Sequence, residues 1–223
     1  MDSVRATGTN TNDTIRNNVL SRFIIYTLVV SGLTVSLPVI VGYGDIVVFC
    51  ENGPIEWLEV GLLAVSAAVL LLSSRTSECR FRQLFYILSL LATFAAIREL
   101  DSILKKWIPV AGWTLPGLFC ATTGIIIYWK ERDRLAIQVA GFTRTRGFSL
   151  LWCGFVVAIP FAQLVGHGAF LQLLMGDDYV RDYKRVIEEL GELLGYLFIF
   201  IGSAEAVFQR KQEGNAHVVG RMA

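Results

Sequence analysis

Three short stretches of this sequence set ionisable side chains at spacings that can do chemistry. Ile55-Glu56-Trp57-Leu58-Glu59 places two carboxylates three residues apart on one helix face, and Ser66 continues that face two turns further on. Arg98-Glu99-Leu100-Asp101 adds two more acids and a guanidinium. In Arg185-Val186-Ile187-Glu188-Glu189-Leu190-Gly191-Glu192, Glu188 and Glu192 share a face by their four-residue spacing, which Gly195, Gly202 and Ala206 extend with small residues. If the three stretches converge, Glu56, Glu59, Glu99, Asp101, Glu188, Glu189 and Glu192 surround Arg98 in one pocket. Gln163 and His167, one turn apart, are peripheral candidates.

Such a set suits an all-oxygen cation site, carboxylate acid/base catalysis in which burial raises the pKa of one acid while Arg98 keeps a second ionised, or a static ion-pair network. Other chemistry is excluded by what the chain lacks. It has two histidines, which rules out a three-histidine zinc site, and His167 near the outer end of the fifth run and His217 in the second tail fall on opposite sides, so a bis-histidine haem is not expected either. No Glu-x-x-His element supports a di-iron centre. Cys50, Cys79, Cys120 and Cys153 occur singly, which argues against thiol redox chemistry, zinc ribbons and a disulfide framework. No cofactor and no resident metal centre are expected.

The elements that position these residues are apolar. The 223 residues are 54% hydrophobic and 17% charged, with a mean hydropathy of +0.54, a composition too apolar for an ordinary soluble domain. The net charge of +1 gives no basic excess for nucleic acid. Crossing about 30 Å of hydrocarbon takes about 20 helical residues. Six runs approach this length, roughly Phe23 to Val41, Ile55 to Leu72, Phe81 to Ile97, Trp113 to Trp129, Gly147 to Gly166 and Ile187 to Phe208. The fifth contains Pro160, which predicts a kink. The third and last carry the most polar residues. Trp57, Trp107, Trp113, Trp129 and Trp152 fall near the run ends, where an amphipathic ring favours the headgroup level.

The expected fold is therefore all-α: a polytopic membrane protein with a six-helix transmembrane bundle over 22–208, a polar tail over 1–21 and a second tail over 209–223. The first tail lacks the apolar core and cleavage site of a secretory signal, so the first run is expected to remain as an anchor. Fourteen of the 20 Lys and Arg residues fall on the side holding both tails, which predicts cytoplasmic N- and C-termini in a plasma or bacterial inner membrane. Twelve of the 19 acids fall on the opposite side, a bias the positive-inside rule does not require.

Val41-Gly42-Tyr43-Gly44-Asp45 resembles the potassium-channel selectivity filter, in which carbonyls replace an ion's water shell. The preceding pore helix is missing, and a turn is expected there instead. The basic segment from Lys130 to Arg146, interleaved with Leu135, Ile137, Val139 and Phe142, can be drawn as a helix lying on an anionic leaflet. Glu205 is expected to reach toward Arg210 or Lys211, the alternative being an inner station of a proton or cation route.

Glu59 and Glu192 lie roughly 6 to 8 Å inside their runs. Acids at mid-bilayer cost about 2.5 to 3.5 kcal/mol, so a compensating role is expected. The first functional expectation is binding or transport of a small cation or basic substrate, with membrane lipids as the surrounding partners and no nucleic acid. The second is an enzyme acting on a lipid-like substrate, which requires an apolar cleft beside the acids. The third is a structural or partner-binding protein, which requires every acid to be paired with a base.

Overall fold

The computed structural model describes residues 11–43, 46–49, 52–76 and 79–222. Gly44, Asp45, Cys50 and Glu51, together with the first ten residues of the polar tail, lie outside the described residues. Among the described residues every regular element is helical. The chain divides into two units, Met1–Gly44 and Asp45–Ala223.

The first unit holds one helix, α1 (Thr11–Tyr43). Thr27, Thr34 and Ser36 donate from their hydroxyls to the carbonyls of Phe23, Val30 and Leu33 at 2.9, 2.9 and 2.7 Å. Polar side chains in an apolar stretch are satisfied in this way without water. The turn expected over Val41-Gly42-Tyr43-Gly44-Asp45 is not seen at its first three positions, which continue α1.

In the second unit a 3-10 turn (Ile46–Phe49) is followed by α2 (Pro54–Arg75), α3 (Arg82–Glu99), α4 (Asp101–Trp107) and α5 (Thr114–Phe142). Next come α6 (Arg146–Val156), a π-helical turn (Val157–Phe161), α7 (Ala162–Val165) and α8 (Gly168–Met175). A second 3-10 turn (Gly176–Asp178) leads into α9 (Arg181–Met222). The kink expected at Pro160 is this π turn, where the missing proline N–H is accommodated.

Four stretches of the described residues are long and apolar enough to cross a membrane: Val19–Ser36, Pro54–Arg75, Arg146–Val165 and Arg181–Gln209. The other two expected runs are helical but shorter in apolar length. The 18 residues of α3 include Arg82, Arg98 and Glu99. In α5 the apolar part ends at Lys130-Glu131, where Glu131 departs from helical geometry at φ −121° and ψ 15°.

Extended Gly53 and Pro54 start α2, the proline supplying a φ already suited to a first helical position. Its buried residues Ile55, Glu59, Leu63, Ser66, Leu70 and Ser73 recur every three or four positions and form the stripe that faces its neighbours α3 and α9. On another face α9 meets α6 and the π turn at closest approach. A Cβ on Gly195 would lie 2.4 Å from the backbone nitrogen of Ala158, and one on Gly202 would lie 2.7 Å from that of Leu151. The small residues read from the sequence are thus where backbones touch.

At one end of this unit Phe81, Phe85 and Phe142 meet with ring centroids 5.4 to 5.9 Å apart. Leu70, Leu84, Leu135 and Ala206 complete the cluster. Gln138 accepts from the backbone N–H of Leu84 at 3.0 Å and donates to Gln83, which fastens α5 to the start of α3. The basic segment packs against the start of α3 on one face. As far as Phe142 it is the second half of α5, with Arg146 opening α6, and Leu135 and Phe142 are drawn into the core while Ile137 and Val139 stay exposed. Glu205, at this same end, is fully buried and accepts from Gln209 at 3.2 Å; the side chains of Arg210 and Lys211, toward which it was expected to reach, lie outside the described residues.

Candidate functional site

The acidic residues gather at the opposite end, where α2 begins, α3 ends and α9 passes. Glu59 lies one turn and a half into α2, Glu99 is the last residue of α3, and Glu192 is eleven residues into α9. One carboxylate oxygen from each falls within 4.8 Å of the other two. One turn further in, Leu63, Ala96 and Tyr196 of the same three helices pack with Ala158 and close the floor. The acids thus sit on an apolar base that strengthens every electrostatic interaction above it.

Arg98 reaches across this group. Its Nη2 lies 2.5 Å from Glu99 Oε1 and 3.5 Å from Glu192 Oε2, and donates to the Tyr196 hydroxyl at 3.2 Å. That hydroxyl in turn donates to Glu99 at 2.7 Å. Gln163 donates from Nε2 to Glu192 at 3.4 Å and to Glu188 at 3.3 Å. Glu99 and Glu192 are therefore well supplied with donors.

Glu59 is not. It is 0% exposed, and neither of its carboxylate oxygens has a hydrogen-bond partner among the described residues. A buried polar atom without a partner costs about 1 to 3 kcal/mol, and more for a charged group. Protein interiors rarely tolerate this without a reason.

The remaining candidates separate into satisfied and peripheral groups. Asp101 is not brought into the cluster: it pairs with Lys105 at 2.6 Å and accepts from the Trp113 backbone N–H at 3.5 Å, which ties α4 to the turn before α5. Glu56 folds back to the backbone N–H of Asn52, a residue at φ 63° whose side chain also accepts from Ser102 at 2.8 Å. Glu188 pairs with Lys184 at 3.0 Å. Glu188 and Glu189 line a cavity of about 400 Å³ with Arg181, Asp182, Lys184 and Arg185. His167 is exposed at the N-cap of α8 and makes no capping hydrogen bond.

Two sequence readings need correction. A helix that began with the apolar run at Ile187 would hold Glu188 and Glu189 in its first turn, where the dipole favours acids. Because α9 starts at Arg181, its first-turn acid is Asp182, and the dipole does not account for the other two. Tyr196 was missed, although Glu192 and Tyr196 stand at helical four-residue spacing. A tyrosine in an apolar run reads as core, and only its hydroxyl contacts reveal its role.

The chain matches no protein-family model, no curated protein and no solved structure, so its function has to be argued from its own side chains.

Proposed function

We propose that this is a cation-binding or cation-transporting membrane protein whose binding site is formed by Glu59, Glu99 and Glu192. The observation that carries this reading is the buried Glu59 carboxylate, held beside two other carboxylates with both oxygens unpartnered. A cation supplies what that group lacks. A purely structural network predicts a base for every acid, and Glu59 departs from that. An enzyme acting on lipid needs an apolar cleft beside the acids, whereas the cavity near them is walled by charged side chains.

In this reading α3 and α5 join the four apolar stretches as membrane spans, giving six. Large apolar side chains on both are exposed, among them Leu91 on α3 and Leu118, Phe119, Ile125 and Ile126 on α5. Lipid is the solvent that accepts such a surface. An even number of spans puts both termini on one side, and the distribution of Lys and Arg makes that side cytoplasmic, so the acidic site faces outward across a plasma or bacterial inner membrane.

The test is thermal unfolding of the purified full chain in detergent with sodium, calcium, manganese or methylammonium chloride. Binding to the native state alone stabilises it by about 2.7 kcal/mol at a ligand concentration of 100 times Kd. At least one cation is expected to raise the melting temperature of the wild type, and Glu59→Gln and Glu192→Gln should abolish that rise. Equal responses in wild type and both variants would overturn the proposal. Uptake into proteoliposomes by the wild type, lost in both variants, distinguishes transport from binding alone.

A further inference from the structure

Resting on that reading, we propose that the cation is a divalent metal ion of the oxygen-preferring class, such as calcium, manganese or magnesium, bound by one oxygen from each of Glu59, Glu99 and Glu192. Arg98 acts as a tethered positive charge that partly neutralises the site and limits its affinity.

The donor set is the first argument. All three ligands are carboxylates, and no histidine or cysteine is among them. Hard oxygen donors favour magnesium, calcium and manganese, whereas imidazole and thiolate donors select zinc and copper. Charge is the second. Three carboxylates and one guanidinium sum to a formal charge of −2, which a divalent ion cancels and a monovalent ion leaves half uncompensated. In a buried site an uncompensated charge is expensive.

Space is the third argument, and it separates a metal from an organic cation. An ion centred among three oxygens that all lie within 4.8 Å of one another would be at most about 2.8 Å from each, so side-chain movements of about half an ångström or less bring it to the 2.3 to 2.6 Å typical of calcium. A primary ammonium would also accept that spacing. Its carbon skeleton, however, needs room beside the carboxylates. Glu59 is 0% and Glu192 7% exposed, and neither is a wall of the charged cavity beside them. A bare ion fits such a place better than a substituted amine.

Arg98 has a distinct role from the ligands. With 44% of its side chain exposed, it approaches Glu99 and Glu192 from the solvent side and satisfies both in the absence of metal. It has no bond to Glu59 among the described residues, and so leaves that carboxylate for the incoming ion. Metal binding then has to weaken the Arg98 contacts.

The experiment is a manganese titration of the full chain in detergent, read by the loss of the free-ion electron paramagnetic resonance signal, with calcium, magnesium, sodium and methylammonium as competitors. One manganese per chain is expected, displaced by calcium or magnesium and not by equal concentrations of sodium or methylammonium. Glu59→Gln should weaken manganese binding at least tenfold, and Arg98→Gln should tighten it severalfold. Thermal melts of each variant establish that it is folded, and Glu192→Gln replaces Glu59→Gln if the latter does not fold.

Manganese binding that is unchanged in Glu59→Gln and Glu192→Gln overturns the divalent inference. If methylammonium or sodium, and not a divalent ion, stabilises the wild type in a Glu59-dependent way, the divalent inference falls while the wider cation reading stands. If no cation of either kind depends on Glu59, both fall. Weaker manganese binding in Arg98→Gln would overturn the role given to that arginine.

Discussion

Glu59 and Glu205 occupy opposite ends of the same packed helices, and both are fully buried. Glu205 precedes Ala206 of the aromatic cluster in the chain and accepts a hydrogen bond from Gln209, one turn along its own helix. Glu59 lies over an apolar floor, facing two other acids, with no donor to either oxygen. Burial alone therefore does not mark a site. The difference lies in satisfaction: at one end the fold provides a donor to its carboxylate, and at the other it buries a carboxylate with no donor among the described residues.

The two ends also differ in what holds them together. Ring packing among Phe81, Phe85 and Phe142 is non-directional and depends on volume, so it anchors α3 and α5 regardless of charge. Arg98 and Tyr196 hold the acidic end through hydrogen bonds whose value depends on each partner being present.

The strongest way to break this contrast is Phe85→Ala. Phe85 is fully buried in the aromatic cluster, and its truncation should destabilise the protein by about 3 to 5 kcal/mol in detergent unfolding. Cation-dependent stabilisation of the remaining folded fraction should stay at the wild-type value. A parallel loss of that response would mean that the ends do not act separately.

Tyr196→Phe removes the hydroxyl that accepts from Arg98 and donates to Glu99 while keeping the ring in the floor. A cost of about 1 kcal/mol is expected. Calorimetric cation titration should also show severalfold altered affinity, since Arg98 and Glu99 lose a common partner. Affinity equal to that of the wild type would show that the hydroxyl serves packing only.

The smallest effect is expected from Asp101→Asn. Its partner Lys105 is 63% exposed, and exposed ion pairs contribute about 0 to 1 kcal/mol. Unfolding should shift by less than about 0.5 kcal/mol and the cation response should not change. A lost response would return Asp101 to the site.

Much of the candidate site was legible before any coordinates. Glu59, Glu99, Glu192 and Arg98 stand out because charged groups inside or beside apolar runs are costly, and their reduced number makes them conspicuous. Gln163 was also placed near them. Asp101 could not be removed by the same reasoning, since its ties to Lys105 and the Trp113 backbone depend on how the turn between α4 and α5 folds. Glu188 and Glu189 were misplaced on their helix because α9 begins before its apolar run does. In Lys130–Arg146 the charges say nothing of the pair of glutamines and the two apolar side chains that fasten the segment to α3.

The sequence by itself determined that the chain is helical and that several helices are apolar enough for a membrane, because length and hydropathy are local properties that any packing must respect. It also marked Glu59 and Glu192 as acids set inside apolar runs, where a charge is costly. Only the tertiary structure decided which of those acids meet, and that both oxygens of Glu59 are buried without a donor among the described residues. Hydrogen-bond satisfaction is a property of neighbours on other helices, and nothing in the spacing along one helix specifies who those neighbours will be.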